Sequence, residues 1–290
     1  VANDGVANSY WVNQGELKFI DDAFLAGSAV NADGAAEASM GVDAADFDRN
    51  GGEDIFITHL KRETNTLYSN DGKGWFSDAT TASLLGPPSL PFTGFGTAFV
   101  DIDNNGWLDL VVVNGAVVVE QAQVQVGSDF PYRQSNQIFR NTEGRFEDAT
   151  QRGGQAFRPS HSSRGAAFGD INNDGRVDLV IVNNHGPARI LINQAAANHW
   201  LGLRLTDSEG ERDLTGSVVW LLEQGKKSWS RRSRSDGSYA SANDPRIVLG
   251  LVNDDQPQAI VVRWPDGQHE RFIDLSVDQY HVIRKGQGSE

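Results

Sequence analysis

Cysteine is absent from the 290 residues and methionine occurs once, which excludes disulfide staples, thiolate metal sites and redox chemistry at sulfur. Basic residues are in deficit. The 25 Lys and Arg are outnumbered by 39 Asp and Glu, giving a formal charge of −14 that repels nucleic-acid phosphates and anionic lipid and makes cations the natural partners. No apolar run approaches the roughly 20 residues of a membrane-spanning helix, the nearest being the interrupted VVVNGAVVV at 111–119. No signal-peptide pattern is present and the sequence opens on Val1, as expected of a processed or partial chain. What is plentiful is glycine, at 31 residues, the mark of many short strands joined by tight turns. A hydrophobic content of 39% over 31.6 kDa is enough for a real core in one or two domains.

Four features recur in a fixed order, which predicts an array of structural units. Gly41, Gly96 and Gly165 each precede an acidic loop by five residues. The loops, DFDRNGGED from Asp46, DIDNNGWLD from Asp101 and DINNDGRVD from Asp170, each run straight into an apolar strand. An Asn-bounded strand follows, as NSYWVN (8–13), NTLYSN (65–70), NQIFRN (136–141) and, less closely, ARILIN (188–193). A Gly turn and a Phe-x-Asp strand around Phe19, Phe76 and Phe146 close the unit, so each repeat predicts one four-stranded antiparallel blade. Residues 1–21 match only the tail of a repeat, and the copy that begins at Asp170 only a head. The second interval between loops is longer than the first and holds an insertion at 115–135. After a small-residue linker at 194–199, residues 200–290 contain short apolar or alternating runs separated by SDGS and PDGQ turns, which predicts a second all-β domain, a small sandwich or barrel.

The loops crowd oxygen-bearing side chains at positions 1, 3, 5 and 9 around a glycine, the donor set of a hard divalent cation; Ca²⁺ takes about 6 to 8 oxygens at flexible angles. The expected ligands are Asp46, Asp48, Asn50 and Asp54 with the Gly52 carbonyl in the first loop. In the second they are Asp101, Asp103, Asn105 and Asp109 with the Trp107 carbonyl, and in the third Asp170, Asn172, Asp174 and Asp178 with the Arg176 carbonyl. Gly51, Gly106 and Gly175 permit the sharp turn. An EF-hand opens the same way but needs a bidentate Glu at position 12, where this chain has Ile57, Val112 and Ile181, so the loops open strands rather than join helices. Acidic turns without a metal are the simpler alternative, but three copies in register argue against it. About three calcium sites are expected.

Taken together, the leading Gly, the D-x-D-x-N-G-x-x-D loop, the DLVVVN strand and the N-x-L-Y-x-N strand resemble the FG-GAP/VCBS repeat of integrin-α-like β-propellers over residues 1–193. The segment LTGSVVWLL through GSYAS, NDPR and VRWPDG looks like the ASPIC/UnbV domain of the cartilage acidic protein family. The resemblance implies a secreted or periplasmic calcium-bound propeller followed by a small β-domain, in a binding or scaffolding role. A closed propeller of this kind needs about seven blades, whereas two complete repeats and two parts are present, so further blades are expected upstream or from another chain.

Two stretches are candidate partner contacts. Lys226, Lys227, Arg231, Arg232 and Arg234 concentrate positive charge in an acidic protein, either to dock an anionic partner or as a solvated hairpin face. The insertion carries Phe130, Tyr132 and Arg133, types favoured at interface centres, and either contacts a partner or packs on its own blade. The six His residues show no zinc spacing, and no G-x-S-x-G elbow accompanies His161, Ser162 and Ser163, so no catalytic residue or organic cofactor is assigned. The expectation is a non-enzymatic, extracytoplasmic scaffold or docking subunit of a larger assembly, meeting membranes only through a partner. The alternatives are a glycan-binding adhesion module, with Trp11, Trp75, Trp107 and Trp200 as stacking platforms, and a fragment of a hydrolase whose site lies in other blades.

Overall fold

A computed structural model describes residues 1–252, 256 and 258–289. The chain is all-β, and among the described residues helices occur as single turns, α1 (Ala23–Ala26), α2 (Gly86–Ser89), α3 (Gln121–Gln125) and two 3-10 turns at Thr150–Arg152 and Gln155–Phe157. Strands β1 (Trp11–Asn13) and β2 (Phe19–Asp21) pair as the two-stranded tail expected at the front. Next comes a four-stranded sheet in the order β3 (Val42–Ala45), β4 (Asp54–Ile57), β5 (Thr66–Asn70), β6 (Phe76–Asp78). A second follows as β7 (Gly94–Val100), β8 (Asp109–Asn114), β9 (Gln137–Thr142), β10 (Arg145–Asp148). The last blade stops at three strands, β11 (Ser163–Gly169), β12 (Asp178–Asn183) and β13 (Arg189–Leu191). Sequential antiparallel neighbours in every sheet make these propeller-like blades in an open arc.

Strand β8, DLVVVN, is buried along its whole length because both of its faces meet another blade. Successive side chains point to opposite faces of a strand. Leu110 and Val112 accordingly pack with Phe47, Phe56, Phe99, Phe139 and Phe146 between the two four-stranded blades, β3–β6 and β7–β10. Val111 and Val113 pack with Ala98, Val100, Ala166, Phe168 and Ile181 on the far side. Of the recurrent glycines, Gly41 and Gly96 sit where the first strands of neighbouring blades touch, and Gly165 faces Tyr239 and Ser241. A Cβ on Gly96 would lie 2.7 Å from the Ala166 backbone nitrogen, and one on Gly41 only 2.0 Å from the Phe95 carbonyl oxygen. Strands β3, β7 and β11 therefore line the inside of the arc.

Beyond a stretch without regular structure, a second set of strands begins at β14 (His199–Thr206). The following strands are β15 (Val218–Glu223), β16 (Lys226–Arg232), β17 (Ile247–Leu251), β18 (Gln258–Arg263), β19 (His269–Leu275) and β20 (Gln279–Arg284). Two sheets, β17-β14-β20 and β16-β15-β18-β19, form a sandwich in which β14 and β20 run parallel. Its core of Leu201, Leu203, Val219, Leu221, Leu249, Ile260, Val262 and Trp264 shares no residue with those of the blades.

The segment between β16 and β17 leaves the sandwich and lies along the inside of the arc. Val42 donates to the Ser238 carbonyl at 3.2 Å, and Thr97 N–H to Ser238 Oγ at 3.2 Å. Ser238 Oγ donates to Ala166 O at 2.6 Å, and Phe168 N–H reaches Asn243 Oδ1 at 3.1 Å. Tyr239 meets Phe95 edge-on with centroids 5.0 Å apart. These bonds occupy edge groups of β3, β7 and β11 that would otherwise be buried without partners.

Candidate metal centre and its clasp

Each acidic loop begins where an inner strand ends and feeds the next strand outward. All three adopt one backbone path. Position 4 is left-handed at Arg49, Asn104 and Asn173, and position 6 at Gly51, Gly106 and Gly175, with φ between 53° and 90°. The first carboxylate folds the loop over itself, accepting Gly51 N–H on Asp46 at 3.1 Å, Gly106 N–H on Asp101 at 2.7 Å and Gly175 N–H on Asp170 at 2.7 Å. The ninth ties the loop to the Asn-bounded strand. Asp54 accepts Asn70 N–H at 2.8 Å, Asp109 accepts Asn141 N–H at 2.8 Å, and Asp178 accepts Asn193 N–H at 2.7 Å. Those asparagines also join blade to blade, since Asn141 Nδ2 donates to Phe47 O at 3.0 Å and Asn193 Nδ2 to Ile102 O at 2.9 Å.

Among the described residues the structure gathers two carboxylate triads, Asp46/Asp48/Asp54 and Asp101/Asp103/Asp109, each able to bring one oxygen per residue within 4.8 Å of the others. Asp46 Oδ1 and Asp103 Oδ1 are buried without any hydrogen-bond partner. Such an orphaned acceptor is costly unless something positive meets it. Burial, reinforced by neighbouring carboxylates, pushes Asp54, Asp101 and Asp109 up to about 7 and raises Asp46. Oxygen-only donors, one orphaned oxygen each and carboxylates that resist ionising together fit a hard divalent cation. Asn50 and Asn105 instead turn their side-chain oxygens to Gly52 and Trp107 N–H, at 2.7 Å each.

The third loop differs. Asp170, Asp174 and Asp178 do not form a comparable triad among the described residues. Arg176, expected to offer its carbonyl, lays its guanidinium on Asp174 Oδ2 and on Asn193 O at 3.0 Å. Asn172 Nδ2 donates to the same Asp174 oxygen at 2.8 Å.

The basic stretch was expected to face a partner or solvent, and three of its five residues instead face this chain's own blades. Arg231 donates to Gly106 O at 2.7 Å, and loss of water lowers its pKa to about 10. Arg234 holds both oxygens of the fully enclosed Asp43, one at 2.7 Å, and Arg232 pairs with Glu53 at 2.8 Å. Arg49 stacks between Trp107 and Trp229, 4.1 and 5.1 Å from their rings. Lys226 and Lys227 stay exposed, with Lys227 Nζ 4.1 Å from the Trp220 ring.

In the insertion, Phe130 stacks on His185 with centroids 4.5 Å apart, and Arg133 bonds Ser128 and Asp129 at 3.0 Å each. These residues and Tyr132 are half-buried on their own chain. The large apolar side chains this segment leaves exposed are Val117, Val118, Val124 and Val126, which aromatic content alone does not point to. Of the tryptophans weighed as sugar platforms, Trp200 is buried against the third loop, while Trp11 and Trp75 are exposed.

Comparison with known proteins places these features. The FG-GAP-like repeat family matches residues 46–112 and 125–181, and the ASPIC and UnbV family matches 207–290. Cartilage acidic protein 1 of Mus musculus is 27% identical over 280 residues, covering 92% of this chain and 39% of its own length. The Homo sapiens protein is 27% identical over the same span, with 38% of its length covered. The chain thus spans about two fifths of these relatives. A solved Agrocybe aegerita lectin, described as recognising non-reducing terminal N-acetylglucosamine, covers 93% of this chain and 71% of its own. At 16% identity and a TM-score of 0.36 that likeness carries no argument about fold or ligand.

Proposed function

Because this chain is built of FG-GAP-like repeats followed by an ASPIC and UnbV domain, we propose that it acts outside the cytosol as a calcium-stabilised, non-enzymatic docking module of a larger protein assembly. The observation that carries the reading is the pair of buried carboxylate triads, each with an orphaned oxygen. Calcium, when bound, supplies the positive charge that lets these carboxylates stay ionised together. Asp46, Asp48 and Asp54 hold it in one loop, and Asp101, Asp103 and Asp109 in the next. The chain's own groups do the rest. Asp54 and Asp109 grip the Asn70 and Asn141 amides, so order in a loop passes directly into the strand beside it.

Placement outside the cytosol is supported by ligand count, since a loop with three carboxylates and flexible geometry fills readily at the calcium levels met there, about 10⁻⁴ to 10⁻³ M for extracellular modules. Docking is supported by the exposed valines of the insertion. The test is thermal unfolding with and without chelator. Removal of calcium is expected to lower the melting temperature by several degrees and re-addition to restore it. Superimposable melts reject the reading.

A further inference from the structure

We infer that the third acidic loop is closed by protein groups rather than by a cation, with Tyr280 of the C-terminal sandwich and Arg176 of the loop itself standing where an ion would and Arg246 bracing the loop from outside. The inference rests on the calcium reading of the first two loops and concerns how the third departs from them. Sequence pattern does not distinguish the three, since all present four oxygen-bearing side chains at the same positions. Their surroundings do.

Asp170 Oδ2 accepts the Tyr280 hydroxyl at 2.8 Å in addition to Gly175 N–H at 2.7 Å, and Asp170 Oδ1 accepts Asp174 N–H at 3.1 Å. Arg246 donates to the Asp170 carbonyl at 2.6 Å and to Asn173 Oδ1 at 2.5 Å. Its guanidinium is aimed by Asp244, at 2.6 Å, and by the Tyr280 ring 4.5 Å away. Asp174 spends one oxygen on Arg176 N–H at 3.0 Å and the other on the Arg176 guanidinium and Asn172. Asp178 is taken by Ile171 and Asn193 N–H, at 2.8 and 2.7 Å.

No ligand oxygen of this loop is among the buried orphans, whereas each of the other loops has one. The Trp200 indole completes the clasp, so close to Gly175 that a Cβ there would lie 2.0 Å from the ring. Both Trp200 and Tyr280 come from the sheet β17-β14-β20, so the third loop is where the sandwich grips the blades without help from a metal.

The test counts calcium bound to the whole chain after equilibrium dialysis at millimolar calcium. Two ions per chain are expected, falling to one in Asp48→Asn and staying at two in Asp174→Asn. Three ions, or loss of one in Asp174→Asn, overturn the inference while leaving the calcium reading intact. A count of zero overturns the calcium reading and the inference with it, and the count itself tells these failures apart. A second readout addresses the clasp. Tyr280→Phe is expected to lower the melting temperature by the same amount in calcium and in chelator, and a loss seen only in calcium overturns the clasp.

Discussion

His59 sits at the end of β4, away from the acidic loop that precedes that strand, and is fully enclosed with neither ring nitrogen hydrogen-bonded. Glu37 Oε2 lies 3.5 Å from Nε2, close enough for an ion pair, but charging a ring with no access to water costs more than this contact returns. Burial accordingly lowers His59 to about 4 and raises Glu37. An imidazole that is neutral in the fold stabilises it above the unfolded value near 6.5, and that stability is lost as pH falls from there towards 4, on the order of 3 kcal/mol. Urea unfolding of the wild type and of His59→Gln between pH 7 and 4 should show the gap between them shrinking with acid; a constant gap contradicts it. Arg234 poses the opposite case, a charge retained because Asp43 meets it. Arg234→Ala strands an enclosed carboxylate and should cost about 3 to 5 kcal/mol, whereas Arg234→Met with Asp43→Asn should cost much less. Equal losses in denaturant titrations would show that packing rather than charge is at stake.

Turn glycines with the same backbone serve different ends in different loops. Gly51 and Gly175 are both left-handed, at φ 90° and 81°, but a Cβ meets nothing at Gly51 and the Trp200 ring at Gly175. Gly51→Ala should therefore cost only the left-handed strain, about 1 kcal/mol, and Gly175→Ala several times that, read as the shift in urea midpoint. Comparable shifts would mean that Trp200 gives way freely. Strands and loops were legible in the sequence because their signals are local: the apolar run Leu110 to Val113, the Asn-bounded runs, the glycine at position 6. The third loop shows where local reading ends. Arg176 beside Asp174 was visible as a cation two residues from a ligand, but Tyr280 and Arg246 arrive from elements some 70 to 110 residues away, and no periodicity announces them. The contacts that Arg231, Arg232 and Arg234 make with the blades were not legible for the same reason, since a charge run in sequence does not say which surface of its own protein it will meet.

As a whole, the arc is open. Trp11, Phe19, Ile20, Phe24 and Leu25 are exposed at one end, and Val182, Ile190 and Ile192 at the other, where β13 is a bare sheet edge. Uncovered apolar surface of this kind associates. Sedimentation velocity should show concentration-dependent assembly of this chain, reduced by Phe24→Lys with Leu25→Lys; a wild-type monomer at every concentration argues against it. The two-stranded and three-stranded part-blades were legible as partial matches to the repeat, whereas the seating of the sandwich on the acidic loops was not, because it is a relation between surfaces that share no pattern. The segment lying inside the arc has one more consequence, for the order of events during synthesis. Asp43 waits for Arg234 across 191 residues and Thr97 for Ser238 across 141. At about 5 to 20 residues per second the first of these waits lasts roughly 10 to 40 seconds. For that interval the newborn blades carry bare inner edges, and the period of greatest exposure to chaperones and to misassembly ends only when the last domain emerges.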